Sequence, residues 1–90
     1  MEGTVKEFQW TNPHTWIQLV VKDPATGQSV EWGIEGSPTT SLKRRGWSKD
    51  SLKPGDKAVV TFYQLRSGAP GGGLVKVTVN GKPVGGGAAG

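Results

Sequence analysis

A chain of 90 residues supports one domain with one small core, which takes only roughly 60 to 65% of the unfolded chain's surface out of water. The absence of cysteine excludes a disulfide framework, a thiolate zinc site and a cysteine nucleophile, and no run approaches the roughly 18 apolar residues of a membrane span. Lysine and arginine number 11 against seven aspartates and glutamates, a net charge of +4, while 15 glycines and six prolines favour strands and turns over a helical bundle.

Residues 3–10 form the first predicted strand. Its apolar positions change parity between Val5 and Phe8, as an inserted bulge residue makes them do, so a strongly bent strand is expected. The stretch Phe8-Gln9-Trp10-Thr11-Asn12-Pro13-His14-Thr15-Trp16 follows. Its Asn12-Pro13 pair marks a corner between two strands, because proline locks its own φ and pushes the residue before it out of helical geometry. The corner sets the chain's single histidine beside large aromatic rings.

Residues 15–22 read as the second strand, with Ile17, Leu19 and Val21 on one face and Trp16, Gln18 and Val20 on the other. Asp23-Pro24-Ala25-Thr26-Gly27 is a hairpin loop leading into a third strand over residues 29–35. There Val30, Trp32 and Ile34 alternate with Glu31, Gly33 and Glu35, and antiparallel pairing with the second strand is expected.

Ser37-Pro38 opens a helix over residues 39–45, the serine capping free N–H groups and the proline taking the first helical position. Gly46 closes it. With about two turns and Leu42 as its apolar contact, this helix suits a plug for one end of a barrel. Trp47 and Leu52 anchor the loop beyond, and Pro54-Gly55-Asp56 turns into a fourth strand over residues 57–65, rich in β-branched and aromatic side chains. Residues 66–73, ending in Gly71-Gly72-Gly73, read as a flexible loop, since neither a following helix nor a lysine-serine/threonine pair supports a phosphate loop. The fifth strand spans residues 74–80, where Val75, Val77 and Val79 alternate with Lys76 and Thr78. Asn80-Gly81 signals a last turn, and residues 85–90 read as a disordered tail.

The order strand, strand, strand, helix, strand, strand is that of a five-stranded Greek-key barrel of the oligonucleotide/oligosaccharide-binding type, here over residues 1–84. An all-β fold with one short helix is therefore expected, with an open β-sandwich as the alternative. Ile17, Leu19, Val21, Val30, Trp32, Ile34, Val75, Val77 and Val79 are its predicted core.

Four blocks in order resemble the small exported bacterial proteins grouped as domain-of-unknown-function family 6152. They are the Phe8 to Trp16 stretch, Trp32-Gly33-Ile34-Glu35-Gly36-Ser37-Pro38, Arg44-Arg45-Gly46-Trp47 and Leu52-Lys53-Pro54-Gly55-Asp56, within residues 3–84. The resemblance implies a periplasmic or secreted β-protein with no established activity. It also implies a signal peptide and a histidine-containing segment ahead of the core, so this chain is expected to be the core domain with Met1 as an added start.

Charge is unevenly placed. Lys43, Arg44, Arg45, Lys49, Lys53 and Lys57 stand against Asp50 and Asp56, a local excess equal to the whole net charge of +4. Around Trp47 such a patch could hold phosphates while rings stack on bases, which makes Trp16, Trp47, Arg44 and Arg45 the candidate ligand-binding residues. The plainer reading is a solvated helix end whose cations suit the negative pole of the helix dipole. Glu31 and Glu35 on the presumptive binding strands further disfavour nucleic acid.

His14 is the metal candidate, with copper or zinc as the ion. Asn12 and Glu7, the nearest oxygen donors along the chain, make no recognised ligand spacing with it, and the alternative is a turn histidine packed on Trp16 or bonded to backbone. Upstream histidines of the kind the resemblance implies would complete a site. Of the four tryptophans, Trp32 shares the core face while Trp16 lies outward, able to stack on a ligand or dock on another subunit.

No enzymatic activity is expected. There is no serine in a nucleophile elbow, and Glu31 and Glu35, four residues apart on one strand, stand about 13 Å apart, too far for a paired glycosidase acid and base. Three readings follow: a non-enzymatic exported module binding an unknown protein or small molecule without a cofactor, a periplasmic metal-binding protein centred on His14, and a basic single-strand nucleic-acid binder. Trp16 and an exposed first-strand edge also suggest a homo-oligomer.

Overall fold

The computed structural model describes residues 1–85. Its elements in chain order are β1 (Glu2–Gln9), β2 (Thr15–Lys22), β3 (Ser29–Gly36), α1 (Thr39–Arg44), β4 (Lys57–Gln64), β5 (Gly71–Val79) and the short β6 (Lys82–Pro83). The sheet order is β3-β2-β1-β4-β5-β6, and an additional β3–β5 pairing closes the first five strands into a barrel. That closing ladder joins Gly33–Glu35 to Gly71–Gly73 in parallel, whereas the other pairs are antiparallel. The expected barrel is therefore the fold, with β6 as an extra strand, and an open sandwich is set aside.

The bulge in β1 falls where the parity change placed it. Val5 faces Leu19 and Glu7 faces Gln18, so Lys6 is the additional residue. Bending there lets one strand serve two neighbours: its start, Glu2 to Thr4, pairs with β4, and Thr4 to Gln9 pair with β2. Backbone bonds of 2.9 and 2.8 Å then tie Val5 to Asp56 and Gly55, so the first-strand edge expected to be open is covered on that side.

Alternation drives Ile17 and Leu19 of β2, Ile34 of β3, Ala58 and Val60 of β4 and Val77 of β5 into one core with Val5, Leu42, Trp47, Leu52 and Leu74. Leu42 brings α1 into that core as the expected plug. The helix ends in a Schellman arrangement, Trp47 N–H donating to the Leu42 carbonyl and Gly46 N–H to that of Lys43, with Gly46 at φ +86°. Its start differs from expectation. Pro38 stands at the N-cap itself, with φ −57° and ψ 155°, and the side-chain oxygen that meets the Thr39 N–H belongs to Asn12 of the β1–β2 corner, where the Asn12–Pro13 peptide is cis.

The predicted core is corrected at Val30 and Val75, while Val21, Trp32 and Val79 pack against it but stay partly exposed. Val30 is 37% exposed, and Val21 and Trp32 are only partly buried, because the β2–β3 hairpin runs past the point where β5 joins β3. Val75 is the extra residue of a second bulge, since Thr61 faces Lys76 and Phe62 faces Leu74; this turns Leu74 inward beside Val77. Val79 is likewise only partly buried.

Gly71-Gly72-Gly73, expected in a flexible loop, begin β5 instead. The structure needs glycine there, for a Cβ on Gly72 would strike the Tyr63 carbonyl and the Phe62 ring. Asn80 and Gly81, at φ +51° and +82°, form the expected tight turn into β6. Gly85, placed by sequence in a disordered tail, lies against Trp47 and the Arg45 carbonyl. The remainder of that tail lies outside the described residues.

Candidate functional site

The alternation that fills the core builds a second surface on the outside of β1, β2 and β3. Register sets three rungs across it: Gln9, Trp16 and Glu35; Glu7, Gln18 and Gly33; Thr4, Val20 and Glu31. Gln18 Nε2 donates to Gln9 Oε1 at 3.1 Å, spanning two rungs beside Trp16. Gly33 supplies no side chain, leaving a notch in the middle rung. The β4–β5 connection borders the surface at that point, the Gly33 N–H donating to the Pro70 carbonyl at 3.2 Å.

His14 stands at the end of the first rung. Its Nδ1 lies 3.1 Å from Glu35 Oε1, and both side chains are about half exposed. The corner is held firmly on either side of it: Thr11 Oγ1 donates to the His14 carbonyl at 2.7 Å, and the buried Thr15 hydroxyl donates to the Ser37 carbonyl at 2.9 Å. With Nδ1 turned to the carboxylate, Nε2 is the ring nitrogen that can meet a ligand.

Charge on this surface is acidic. Lys6, pushed outward by the bulge, forms an ion pair with Glu31. The hydrogen bond that Lys6 donates to Glu31, followed by the charge of that carboxylate, holds the Lys6 ammonium above its ordinary pKa, and Glu7 adds a smaller effect in the same direction. Glu35 adds a third carboxylate.

The sequence-predicted residues separate into two groups. Trp16 and His14 meet on the surface just described, Trp16 facing Glu35 across the β2–β3 ladder. Trp47 is 2% exposed and packs on Phe8 at 6.1 Å between ring centroids, while Phe8 also meets Trp10 edge-on at 5.7 Å. Its ring belongs to the core, which removes it from the stacking role proposed for it. Arg44 and Arg45 follow Lys43 at the C-terminal end of α1, where cations suit the helix dipole. The residue that sequence reasoning missed beside His14 is Glu35. The signal was within reach: with Lys22 paired to Ser29 across the turn, counting back along the two expected antiparallel strands brings Trp16 opposite Glu35, as the structure has it.

The His14–Glu35 pair offers two metal donors. Among the described residues, no three or more histidines, aspartates or glutamates gather as a metal-holding group. The hydroxyls that flank His14 along the chain, those of Thr11 and Thr15, both donate to backbone carbonyls.

Among the described residues no helix is long and apolar enough to cross a membrane. A search of curated proteins and of solved structures returns no match. A family model matches residues 1–85, and by it the chain belongs to DUF6152, a family of unknown function.

Proposed function

We propose that this protein is a non-enzymatic exported binding module whose ligand seat is the outer surface of β1–β3. The observation carrying this reading is the first rung, where Gln9, Trp16 and Glu35 lie side by side with His14 at its end. A half-buried indole next to a planar amide, a carboxylate and an imidazole can receive an apolar ring face while its polar neighbours meet the ring's edge. In barrels of this type the outer face of strands two and three, with the β1–β2 and β4–β5 loops, is a recurrent ligand position, an analogy of fold that adds to the residues and does not replace them.

The acidity of the surface selects the ligand. Glu7, Glu31 and Glu35 against Lys6 favour a neutral or cationic molecule and oppose a polyphosphate backbone. The export itself rests on the family resemblance.

The test is a titration of isotopically labelled protein with neutral and amine-bearing oligosaccharides, followed through amide and indole chemical shifts. Shifts at Gln9, Trp16, Gln18 and Glu35, lost with Trp16→Ala, support the reading. Shifts confined to residues 43–57, or saturating binding by single-stranded DNA at physiological salt, refute it.

A second reading has one specific observation behind it. The 3.1 Å approach of His14 to Glu35 provides an imidazole–carboxylate pair that could ligate Cu²⁺ or Zn²⁺ given further donors.

A further inference from the structure

Two features at the far end of the β2–β3 hairpin are left unused by the barrel. The first is a strand edge. β3 pairs with β5 only from Gly33 to Glu35, so Ser29–Trp32 has β2 on one side and no strand on the other among the described residues. Gly33 sends its N–H toward the β5 side, to Pro70, and by the twofold repeat of a strand Glu31 and Ser29 present their backbone groups to that same open side. Neither a proline nor a bulge interrupts the edge, the pairing with β2 running unbroken from Ser29 to Gly36.

The second feature is an apolar pocket of about 200 Å³ lined mainly by Met1, Val21, Pro24, Val30 and Trp32, with Lys22 and Asp23 completing its wall. Val21, Val30 and Trp32 lie on the inward-facing parity of their strands; Val21 and Trp32 pack against the core on one side, Trp32 edge-on to Phe62 at 5.7 Å, but stay partly exposed toward the pocket, and Val30 is 37% exposed. Size limits the occupant. Drug-sized ligands occupy pockets of about 300 to 1,000 Å³, whereas an apolar cavity of roughly 150 Å³ holds a benzene ring, so this pocket fits one large side chain.

Edge and pocket share Val30 and Trp32, so one occupant can use both. Alternate residues of a strand laid along the edge would point to the pocket side, and the residues between them would stand on the outer face beside Glu31. That carboxylate is 56% exposed even while paired with Lys6. An incoming cation is therefore favoured opposite Glu31. Two copies of β3 laid edge to edge would instead bring their Glu31 side chains to one face, where like charges repel.

We infer that the free edge of β3 takes an extended segment of a partner protein as an added strand, with one bulky apolar side chain in the pocket and a lysine or arginine opposite Glu31. Main-chain hydrogen bonds supply the attraction and the pocket the selectivity, as in other strand-addition complexes.

The probe is the peptide Ac-Lys-Phe-Lys-Val-Lys-Val-NH₂, compared with its glutamate-for-lysine counterpart and with two versions N-methylated on alternate backbone nitrogens. Saturable shifts of the Ser29 and Glu31 amides are expected with the lysine peptide. The N-methylated version that blocks the side turned to β3 should lose at least about tenfold in affinity and the other little, because only one parity of N–H reaches the edge. Val30→Glu, at a partly exposed position that the core does not need, should abolish binding, and Glu31→Lys should transfer the preference to the glutamate peptide. Absence of saturable binding, equal binding of both N-methylated versions, or a dimer held by β3 itself overturns the inference.

Discussion

Asn12 Oδ1 accepts hydrogen bonds of 3.0 Å from both the N–H and the hydroxyl of Thr39. The β1–β2 corner thus caps the helix that plugs the barrel, and it does so across 27 residues of sequence. The same corner carries His14, so the capping bond also fixes one end of the candidate site. Asn12→Ala should cost about 1 to 2 kcal/mol, the usual loss of a helix cap, measured by urea denaturation. A change below about 0.3 kcal/mol would show that solvent or another group caps Thr39 equally well.

Ile34 and Val30 lie on one face of β3 yet differ in burial, 0% against 37% exposed. Ile34→Ala should therefore cost about 2 to 4 kcal/mol through cavity formation, while Val30→Ala should cost less than about 1 kcal/mol. Equal losses at the two positions would mean that the end of the hairpin is covered in solution.

Gly72 and Gly73 test the start of β5 in the same way. A methyl group at Gly72 would meet the Tyr63 carbonyl and the Phe62 ring, whereas one at Gly73 would meet nothing within 4 Å. Gly72→Ala should cost about 3 kcal/mol or prevent folding, by overpacking against backbone, and Gly73→Ala should stay within about 1 kcal/mol. A stable, unchanged Gly72→Ala protein would place these glycines back in a loop.

These contrasts also show which parts of the structure were legible in the sequence. The span of β2 and the antiparallel β2–β3 pair followed from strict alternation, and the β1 bulge from the shift of parity between Val5 and Phe8, because side chains record which face of a strand is buried. Gly71-Gly72-Gly73 carry no side chain to record a face, so their strand was hidden, and the bulge at Val75 broke the alternation on which Val75, in place of Leu74, had been assigned to the core. The cap from Asn12 and the burial of Trp47 against Phe8 depend on long-range approach, which local pattern does not encode. Of the candidate site, Trp16 and His14 could be named in advance, and Glu35 could have been joined to them through the hairpin register.

Association is expected to involve the outer face of Trp16. If copies pair through it, light scattering should report a dimer or small ring, and Trp16→Ser should return a monomer. A wild-type monomer at high concentration, unchanged by the substitution, excludes that contact.

Metal and nucleic-acid binding differ in what disturbs them. Binding of Cu²⁺ or Zn²⁺ by His14 and Glu35 should weaken on acidification, since protons compete for the ligating nitrogen and carboxylate, and should tolerate moderate salt. Binding of a single strand by the cations of residues 43–57 should fall by roughly 0.7 log units per log unit of salt for each phosphate neutralised, and should survive His14→Ala. With two donors at His14 and an acidic β1–β3 surface, both affinities should be weak in this chain, the metal affinity falling further with either His14→Ala or Glu35→Gln. Calorimetric titrations across pH and salt check the pair of expectations together. Metal affinity indifferent to both substitutions would detach the metal reading from this corner, and micromolar oligonucleotide binding at physiological salt would move the functional surface to the helix end.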